Sequence, residues 1–103
     1  MPYEIRATRA VQRDLKRLPP ALREEIQSTH FPKLKENPFQ GYALRGDLRG
    51  LRSYHLTYRG TAYRIVYEVL TEQRVVLILM VGKREGFYPA LRRRVRGKPG
   101  RKS

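Results

Sequence analysis

The spacing of the large apolar residues changes once along this chain. Between residues 11 and 26 these side chains recur every three or four positions, whereas between residues 53 and 81 they alternate or run continuously. A period of three to four residues can be buried on one side of a helix, and a period of two on one side of a strand. The sequence therefore predicts helices followed by a sheet, packed together as an α+β domain.

A proline pair divides the helical part into two antiparallel helices. Thr8 is a suitable N-cap for the first helix, which ends where Pro19 and Pro20 interrupt the backbone hydrogen bonds. Pro20 can also begin the second helix. Within that helix Pro32 predicts a kink or a restart, and Asn37 precedes a further proline that ends it.

The sequence predicts four strands, one before these helices and three after them. Residues 3–7 alternate and suit an edge strand, residues 39–50 contain three glycines and predict a loop, and three strands joined by hairpins occupy residues 53–81. The order β-α-α-β-β-β places two N-terminal helices on one face of a mainly antiparallel sheet, followed by a short C-terminal helix or tail. The residues that alternate along the first hairpin, and that we expect in the core, are Tyr54, Leu56, Tyr58, Tyr63, Ile65 and Tyr67.

Basic residues far outnumber acidic ones. The chain has 23 Lys and Arg against 9 Asp and Glu, which gives a formal net charge of +14 at pH 7. A field of this sign attracts polyanions through counterion release, so nucleic acid is the expected partner. Residues 1–95 are predicted to form the folded domain, and residues 96–103 a basic, disordered tail.

The composition excludes several kinds of site. Without cysteine the chain has no disulfide and no thiolate metal site, and two histidines are too few for a zinc centre. We therefore expect no metal and no cofactor. The N-terminal residues lack the apolar segment of a signal peptide, and no apolar run approaches the ~20 residues that cross a bilayer. The sequence predicts a cytoplasmic protein without membrane contact.

Polar and basic side chains alternate with the core residues of the hairpin and should share the opposite face of the sheet. His55, Thr57, Arg64 and Glu68 occupy these positions. Arginine suits phosphate because its planar fork makes two parallel, charge-assisted hydrogen bonds. Further cations expected at the rim of this face are Arg45, Arg49, Arg52, Lys83 and Arg84.

Each candidate also fits a structural role. His55 and Arg64 fit half-exposed strand positions in cross-strand pairs, and Tyr88 fits packing against the end of the sheet. The pattern alone leaves both interpretations open.

Four segments occur in an order and spacing typical of one known family. They are Glu36-Asn37-Pro38-Phe39, Leu44-Arg45-Gly46 with Leu48-Arg49-Gly50-Leu51, Tyr63-Arg64-Ile65-Val66-Tyr67-Glu68-Val69, and Val81-Gly82-Lys83-Arg84-Glu85. In this arrangement the chain resembles the RelE-type toxins of the RelE/ParE superfamily, over residues 3–92. The resemblance implies the small RelE-like fold.

The resemblance also implies a function and partners. It implies the toxin of a type II toxin–antitoxin system, a ribosome-dependent mRNA endonuclease that cleaves codons in the ribosomal A site and inhibits translation. The implied partners are mRNA on the ribosome, with contacts to ribosomal RNA, and a cognate acidic antitoxin. The implied reaction is metal-independent, because the substrate's 2′-hydroxyl attacks the neighbouring phosphate. The free chain could be a monomer or a homodimer.

Three residues match the catalytic positions of this family. Arg64 matches the strand arginine, which implies stabilisation of transition-state charge, and Arg84 matches a group that helps the leaving oxygen depart. Tyr88 matches a C-terminal tyrosine that stacks on a base or orients the nucleophile. Where the family has two lysines, this chain has His55 and Thr57, so His55 is the expected general base. The cations expected to bind RNA are Arg45, Arg49, Arg52 and Lys83.

Two other functions fit parts of the sequence. A ParE-like toxin, which poisons DNA gyrase, has no chemical need for a strand arginine, a Lys83-Arg84 pair and a terminal tyrosine together. A non-catalytic RNA- or ribosome-binding module would use the basic tail for binding. The combination of candidate residues favours the RNase.

Overall fold

A five-stranded sheet lies at the centre of the protein, with helices on both of its faces. The computed structural model describes residues 3–96. Its strands are β1 (Glu4–Ala7), β2 (Tyr42–Ala43), β3 (Arg52–Tyr58), β4 (Thr61–Leu70) and β5 (Val75–Lys83). Its helices are α1 (Arg9–Lys16), α2 (Pro20–Glu25), α3 (Phe31–Glu36) and α4 (Phe87–Arg96), with a π-helical segment at Ile26–His30 and a 3-10 turn at Gly46–Leu48.

The strands are arranged in the order β1-β5-β4-β3-β2. β1 runs parallel to β5, and the other three strand pairs are antiparallel. The predicted α+β class, the mainly antiparallel sheet and the edge position of the first strand are confirmed. β2 lies in the segment that was predicted to be a loop, because a strand of two residues is too short to show a period. The sheet is therefore one strand wider than predicted.

The N-terminal helices begin, and change their hydrogen-bonding pattern, near the residues that the sequence indicates. The Thr8 hydroxyl caps α1 by accepting a hydrogen bond from the Val11 backbone N–H at 3.2 Å. Pro20 is the first residue of α2. The predicted interruption near Pro32 is also observed, since the helix widens into the π-helical segment Ile26–His30 and returns as α3. Proline has no N–H to donate to the preceding turn, which favours such a local change.

The turn between β3 and β4 is the predicted hairpin. Arg59 and Gly60 both have positive φ, 51° and 79°. Positive φ at both central residues is the backbone of a two-residue type I′ turn, whose twist matches that of the strands. The turn fixes a register in which His55 lies directly opposite Arg64.

The helices α1, α2 and α3 cover one face of the sheet, which we call the helical face. Its core confirms the predicted inward positions of the hairpin, with Tyr54 and Tyr58 partly buried at its margin. The thirteen buried residues of this core are Val11, Leu15, Leu22, Ile26, Phe31, Leu34, Leu56, Tyr63, Ile65, Tyr67, Val76, Ile78 and Val81.

The opposite face carries a smaller core beneath α4, and we call it the α4 face. The sequence predicted a polar and basic surface here, and that prediction was right for only part of the face. Val66, which alternates with the expected core residues, is fully buried against α4 instead of facing water. The seven buried residues of this second core are Leu48, Leu51, Val66, Leu79, Met80, Phe87 and Leu91.

An additional residue in β5 helps to build this second core. Val66 pairs with Met80 and Tyr67 pairs with Ile78, so Leu79 is an extra residue between two regular pairs. A bulge of this kind breaks the alternation of side chains. Leu79 and Met80 consequently both pack on the α4 face, although they are consecutive.

The second half of β5 extends beyond β1, and two side chains close its edge. The β1 pairing ends at Ile78. Beyond it the buried Asp14 carboxylate accepts the Val81 N–H at 3.0 Å, and Arg94 donates to the Leu79 carbonyl at 3.0 Å. Arg94 also donates to both carboxylate oxygens of Asp14, at 2.7 and 3.0 Å. A bidentate, charge-assisted pair thus joins α1 to α4.

The C-terminal helix extends slightly further than the predicted domain. α4 includes Arg96, which was predicted to begin the basic tail. Residues 97–103, the rest of that predicted tail, lie outside the described residues. Over residues 3–96, no helix is long and apolar enough to span a membrane.

Candidate functional site

Four side chains form a continuous row across the α4 face. They are Tyr42 from β2, His55 from β3, Arg64 from β4 and Tyr88 from α4, and we call them the site row. Tyr42 lies opposite Ser53, so its side chain shares the face of His55, two residues further along β3. The ring centroids of Tyr42 and His55 are 4.9 Å apart. Three neighbouring strands and the C-terminal helix therefore assemble the row.

Arg64 lies at the centre of the site row. Its Nη1 is 3.2 Å from His55 Nε2 and donates to the Tyr88 hydroxyl at 2.5 Å. The guanidinium carbon also lies 5.0 Å from the centre of the Tyr88 ring, which is a cation–π distance. These contacts on two sides hold the cationic end of Arg64 in place before any ligand binds.

His55 is held in a form that can accept a proton. An arginine N–H only donates, so Nε2 of His55 is the acceptor in their contact and the ring proton lies on Nδ1. Partial burial, and secondarily the charge of Arg64, lower the pKa of His55 below its ordinary value of 6.5. The ring is therefore neutral at pH 7, as a general base must be.

A shallow cavity of about 190 Å³ opens beside this pair. Its lining includes His55, Thr57, Arg64 and Arg84. The backbone N–H of Arg84 donates to the Ala62 carbonyl at 3.0 Å, which keeps the end of β5 against β4. Two arginines and one neutral imidazole thus surround the same small volume.

A tight turn after β5 brings Tyr88 to Arg64. Gly86 has a φ of 64°, a left-handed conformation that glycine adopts without strain, and α4 begins at the next residue. Phe87 is buried in the second core, and its ring meets that of Tyr88 edge to face at 5.7 Å. Burial of Phe87 fixes the start of α4, so that Tyr88 meets Arg64. The structure therefore brings together all four predicted catalytic residues, His55, Arg64, Arg84 and Tyr88.

The cations predicted to bind RNA are divided between the two faces. Arg45 and Arg49 flank the 3-10 turn and are exposed. Leu48, between them, is buried in the core of the α4 face. Arg45 and Arg49 therefore lie in a segment that packs on the same face as the site row.

Arg52 and Lys83 are not brought to the site row. Arg52 lies opposite Tyr67 of the helical-face core, and its guanidinium donates to the Phe39 carbonyl at 2.8 Å. Lys83 lies opposite Tyr63, also of that core, and borders a groove beside the α1–α2 turn. The alternation that predicted Tyr54 and Tyr58 as core residues also implies the position of Arg52, whereas the continuously apolar β5 contains no such signal for Lys83.

Sequence reasoning missed Tyr42 as a site residue. Its strand has only two residues, so no alternation could assign the side chain to a face. The available signal was an aromatic residue among arginines in a segment without periodicity, which is typical of nucleic-acid-binding surfaces.

The site offers a defined set of chemical groups. Within residues 3–96, no group of three or more His, Asp or Glu side chains could hold a metal ion. The cavity has a neutral imidazole and two guanidinium groups, with a phenol hydroxyl at its border. Such a set can bind a phosphodiester and transfer a proton.

Comparison with known proteins identifies a family. A model described as a ParE-like toxin of a type II bacterial toxin–antitoxin system matches residues 5–92. Toxin RelG of Mycobacterium tuberculosis is 37% identical over 89 residues, which cover 85% of this chain and 98% of RelG.

Two solved structures share the fold. A chain of the toxin–antitoxin complex RelBE2 from M. tuberculosis superposes with a TM-score of 0.70 at 36% identity, covering 82% of this chain and 100% of that chain. A double arginine-to-alanine mutant of E. coli toxin RelE in the free state gives a TM-score of 0.72 at 26% identity, covering 92% and 99%. This chain therefore belongs to the ParE-like toxin family and is a type II toxin–antitoxin toxin of the RelE/ParE superfamily.

Proposed function

We propose that this toxin is a ribosome-dependent mRNA endonuclease that cleaves codons in the ribosomal A site and thereby inhibits translation. One observation carries the proposal: a neutral histidine and two arginines line a single cavity, and a tyrosine hydroxyl contacts the central arginine. Cleavage of RNA without a metal requires a base, cationic groups for the phosphate and a way to stabilise the leaving oxygen. The cavity holds candidates for all three.

In the proposed reaction the substrate's own 2′-hydroxyl is the nucleophile. As Arg64 turns to the phosphate, its N–H leaves His55 Nε2. Nε2 then accepts the hydroxyl proton while the 2′-oxygen bonds to the adjacent phosphorus, and the bond from phosphorus to the 5′-oxygen breaks. Arg64 stabilises the negative charge on the non-bridging oxygens. Arg84 stabilises the departing 5′-oxygen, which takes a proton from solvent. The products are a 2′,3′-cyclic phosphate and a free 5′-hydroxyl, and no metal or cofactor takes part.

Tyr88 is proposed as a positioning residue. Its hydroxyl accepts a hydrogen bond from Arg64, and its ring lies against the same guanidinium. Because the hydroxyl oxygen accepts that bond, its own hydrogen remains available to the substrate. Tyr88 would thus fix Arg64 at the position of the crowded phosphate.

The surrounding cations are proposed to bind RNA away from the cut. Arg45 and Arg49 are exposed on the face of the site row and suit phosphates of the message. Lys83, across β5, suits contact with ribosomal RNA. Arg52 has no RNA contact in this proposal, because it lies on the helical face, where its Nη2 donates to the Phe39 and Gly41 carbonyls.

The second proposed partner is a cognate acidic antitoxin in the cytoplasm, where ribosomes are. The M. tuberculosis relative was solved in a toxin–antitoxin complex. A chain with a net charge of +14 is complemented by an acidic partner, and a partly disordered one can fold over a large surface on binding. We expect such a protein to co-purify with this toxin when the neighbouring reading frame is expressed with it.

Mapping new 5′ ends on cellular messages tests the proposed function. The toxin is expressed briefly in cells, and the same is done with Arg64→Ala and with Arg6→Ala, an exposed strand arginine far from the cavity, as the matched control. We expect cuts in phase with codons for the wild type and for Arg6→Ala, and none for Arg64→Ala. Purified programmed ribosomes should reproduce these cuts.

Two other results would replace the proposal. Double-strand DNA breaks that depend on gyrase, without cuts in messages, would identify a ParE-like gyrase poison. Binding to ribosomes without cuts of either kind would identify a non-catalytic module.

A further inference from the structure

Tyr42 is an aromatic residue that the core does not use. Its relative exposure is 68%, and it belongs to neither of the two buried clusters. Burial of apolar area therefore gives this ring little role in folding. Its one ring contact among the described residues is with His55, the proposed general base.

Phe39 provides a direct contrast. It is the other large hydrophobic residue exposed in the described chain, at 50%. Its ring meets Tyr3 edge to face at 6.5 Å and lies 5.6 Å from the guanidinium of Arg52. Phe39 thus joins the chain before β1 to the segment before β2, whereas the ring contact of Tyr42 is with His55 of the site row.

The position of Tyr42 defines one end of the site row. The rings of Tyr42 and His55 are inclined by 41°, so the tyrosine ring is neither parallel nor perpendicular to the imidazole. Most of the tyrosine ring remains open to solvent beside the cavity. Arg64 lies on the other side of His55. A nucleotide whose phosphate reaches Arg64 would therefore pass His55 and place its base near Tyr42.

We propose that Tyr42 is a stacking platform for a nucleobase of the RNA substrate. This proposal rests on the proposed endonuclease function and assigns to that site one further binding residue. Proteins bind single-stranded RNA by stacking unpaired bases on exposed aromatic rings beside cationic groups. The exposed ring of Tyr42 and the cations Arg64, Arg84, Arg45 and Arg49 on this face supply both elements.

The order of groups along the row indicates which base stacks. His55 accepts the proton of the attacking 2′-hydroxyl, which belongs to the nucleotide on the 5′ side of the cut. Tyr42 lies on the side of His55 away from Arg64, so it contacts the base of that same nucleotide. Purines offer more stacking area than pyrimidines, so we expect a purine to be favoured at this position of the message.

The test uses ribosomes programmed with a message that carries 2-aminopurine immediately 5′ of the cut. A 2′-O-methyl group on that nucleotide blocks attack, and stacking on an aromatic ring quenches the fluorescence. We expect quenching by the wild type and by Tyr42→Phe, and its loss with Tyr42→Ala. The matched control is Phe39→Ala, which removes the other exposed aromatic ring and should quench like the wild type.

Cleavage of the unmodified message supplies the second readout. Tyr42→Ala should raise the toxin concentration for half-maximal cleavage by roughly 5- to 150-fold, the range expected for one base stacked on an aromatic ring. Tyr42→Phe should stay close to the wild type. Circular dichroism and thermal unfolding establish that each variant is folded.

Three results would overturn the platform, each in a different way. If Tyr42→Ala quenches the fluorescence like the wild type and reaches half-maximal cleavage at the same toxin concentration, no base stacks on Tyr42. A lower rate at saturation, with quenching retained, would show that Tyr42 only positions His55. A folded wild type that does not cleave would reject the endonuclease function itself, and the platform with it.

Discussion

The two faces of the sheet are built on different principles. The helical face buries thirteen side chains, which come from the helical segments before the sheet and from the three strands β3, β4 and β5. The α4 face buries seven side chains under one helix and leaves the rest of its surface to the site row. On the helical face, close packing holds side chains in place. In the site row, side chains are held by one another through hydrogen bonds and ring contacts.

This difference separates stability from chemistry on a small domain. A chain of 103 residues can fill one large core but has little material for a second. The α4 face, which has the smaller core, is therefore the one with room for a cavity and for half-exposed charged groups. Substitutions on the two faces should accordingly change different observables.

Leu22 and Leu91 allow the sharpest test of this comparison, because both are leucines with 0% exposure on opposite faces. Leu22→Ala should lower the free energy of unfolding by about 2–5 kcal/mol. Leu91→Ala should lower it by less, because α4 can detach locally while the helical face stays folded. Urea denaturation measures both losses, and hydrogen exchange in α4 reports its detachment. Equal global losses would mean that the two cores unfold as one.

Arg64→Ala should lower the cleavage rate strongly and the stability of the fold only slightly. Loss of a cation that stabilises transition-state charge is expected to lower the single-turnover cleavage rate by about 10²- to 10³-fold. The free energy of unfolding should change by less than about 1 kcal/mol, because the side chain belongs to neither core. Programmed ribosomes and urea denaturation measure the two quantities. A large loss of stability would show that the site row also holds the fold together.

Asp14→Ala tests the buried ion pair that joins α1 on the helical face to α4 on the other. It removes the acceptor of three hydrogen bonds, from the Val81 N–H and from both terminal nitrogens of Arg94. We expect a loss of about 1–3 kcal/mol, because buried donors are left unsatisfied, together with faster hydrogen exchange in α4. Asp47→Ala removes the exposed pair with Arg92 and is the matched control, with an expected loss below about 1 kcal/mol. If the control loosens α4 as much as Asp14→Ala does, the buried pair is not what joins the faces.

Titration of His55 should show the smallest effect. Burial and Arg64 lower its pKa in the folded state, so NMR should give a value below 6.5. Because the folded state then binds a proton less readily than the unfolded state, this residue destabilises the fold as pH falls through 6.5, and not as pH rises. Arg64→Ala should raise the pKa only part of the way, since burial is the larger cause. A pKa at or above 6.5 in the wild type would contradict the neutral-base assignment.

The helical face was largely predictable from sequence. Its helices follow from Val11, Leu15, Leu22 and Ile26, and its inward strand positions follow from strict alternation along the first hairpin. Local signals of this kind reflect the periods of helix and strand, which any buried face must match. That His55 and Arg64 share one face followed from the same alternation, whereas their direct pairing depends on the two-residue turn at Arg59 and Gly60, which the structure shows.

The α4 face was less predictable for identifiable physical reasons. The extra residue in β5 places consecutive side chains on one face, which no two-residue period can indicate. The ion pair between Asp14 and Arg94 joins residues that are 80 positions apart, and nothing local to either one signals it. Tyr42 lies on a strand of two residues, so its face was set by its partner strand alone.

Because of the extra residue in β5, the pairing of the strands and the attachment of α4 to the sheet depend on different residues. Deleting Leu79 would leave the strand pairs on either side unchanged, since Val66 already pairs with Met80 and Tyr67 with Ile78. α4 would lose the leucine side chain beneath it and the carbonyl that Arg94 binds. In evolution, the insertion or deletion of a single codon can therefore strengthen or weaken the attachment of the C-terminal helix without changing the strand pairing of the sheet.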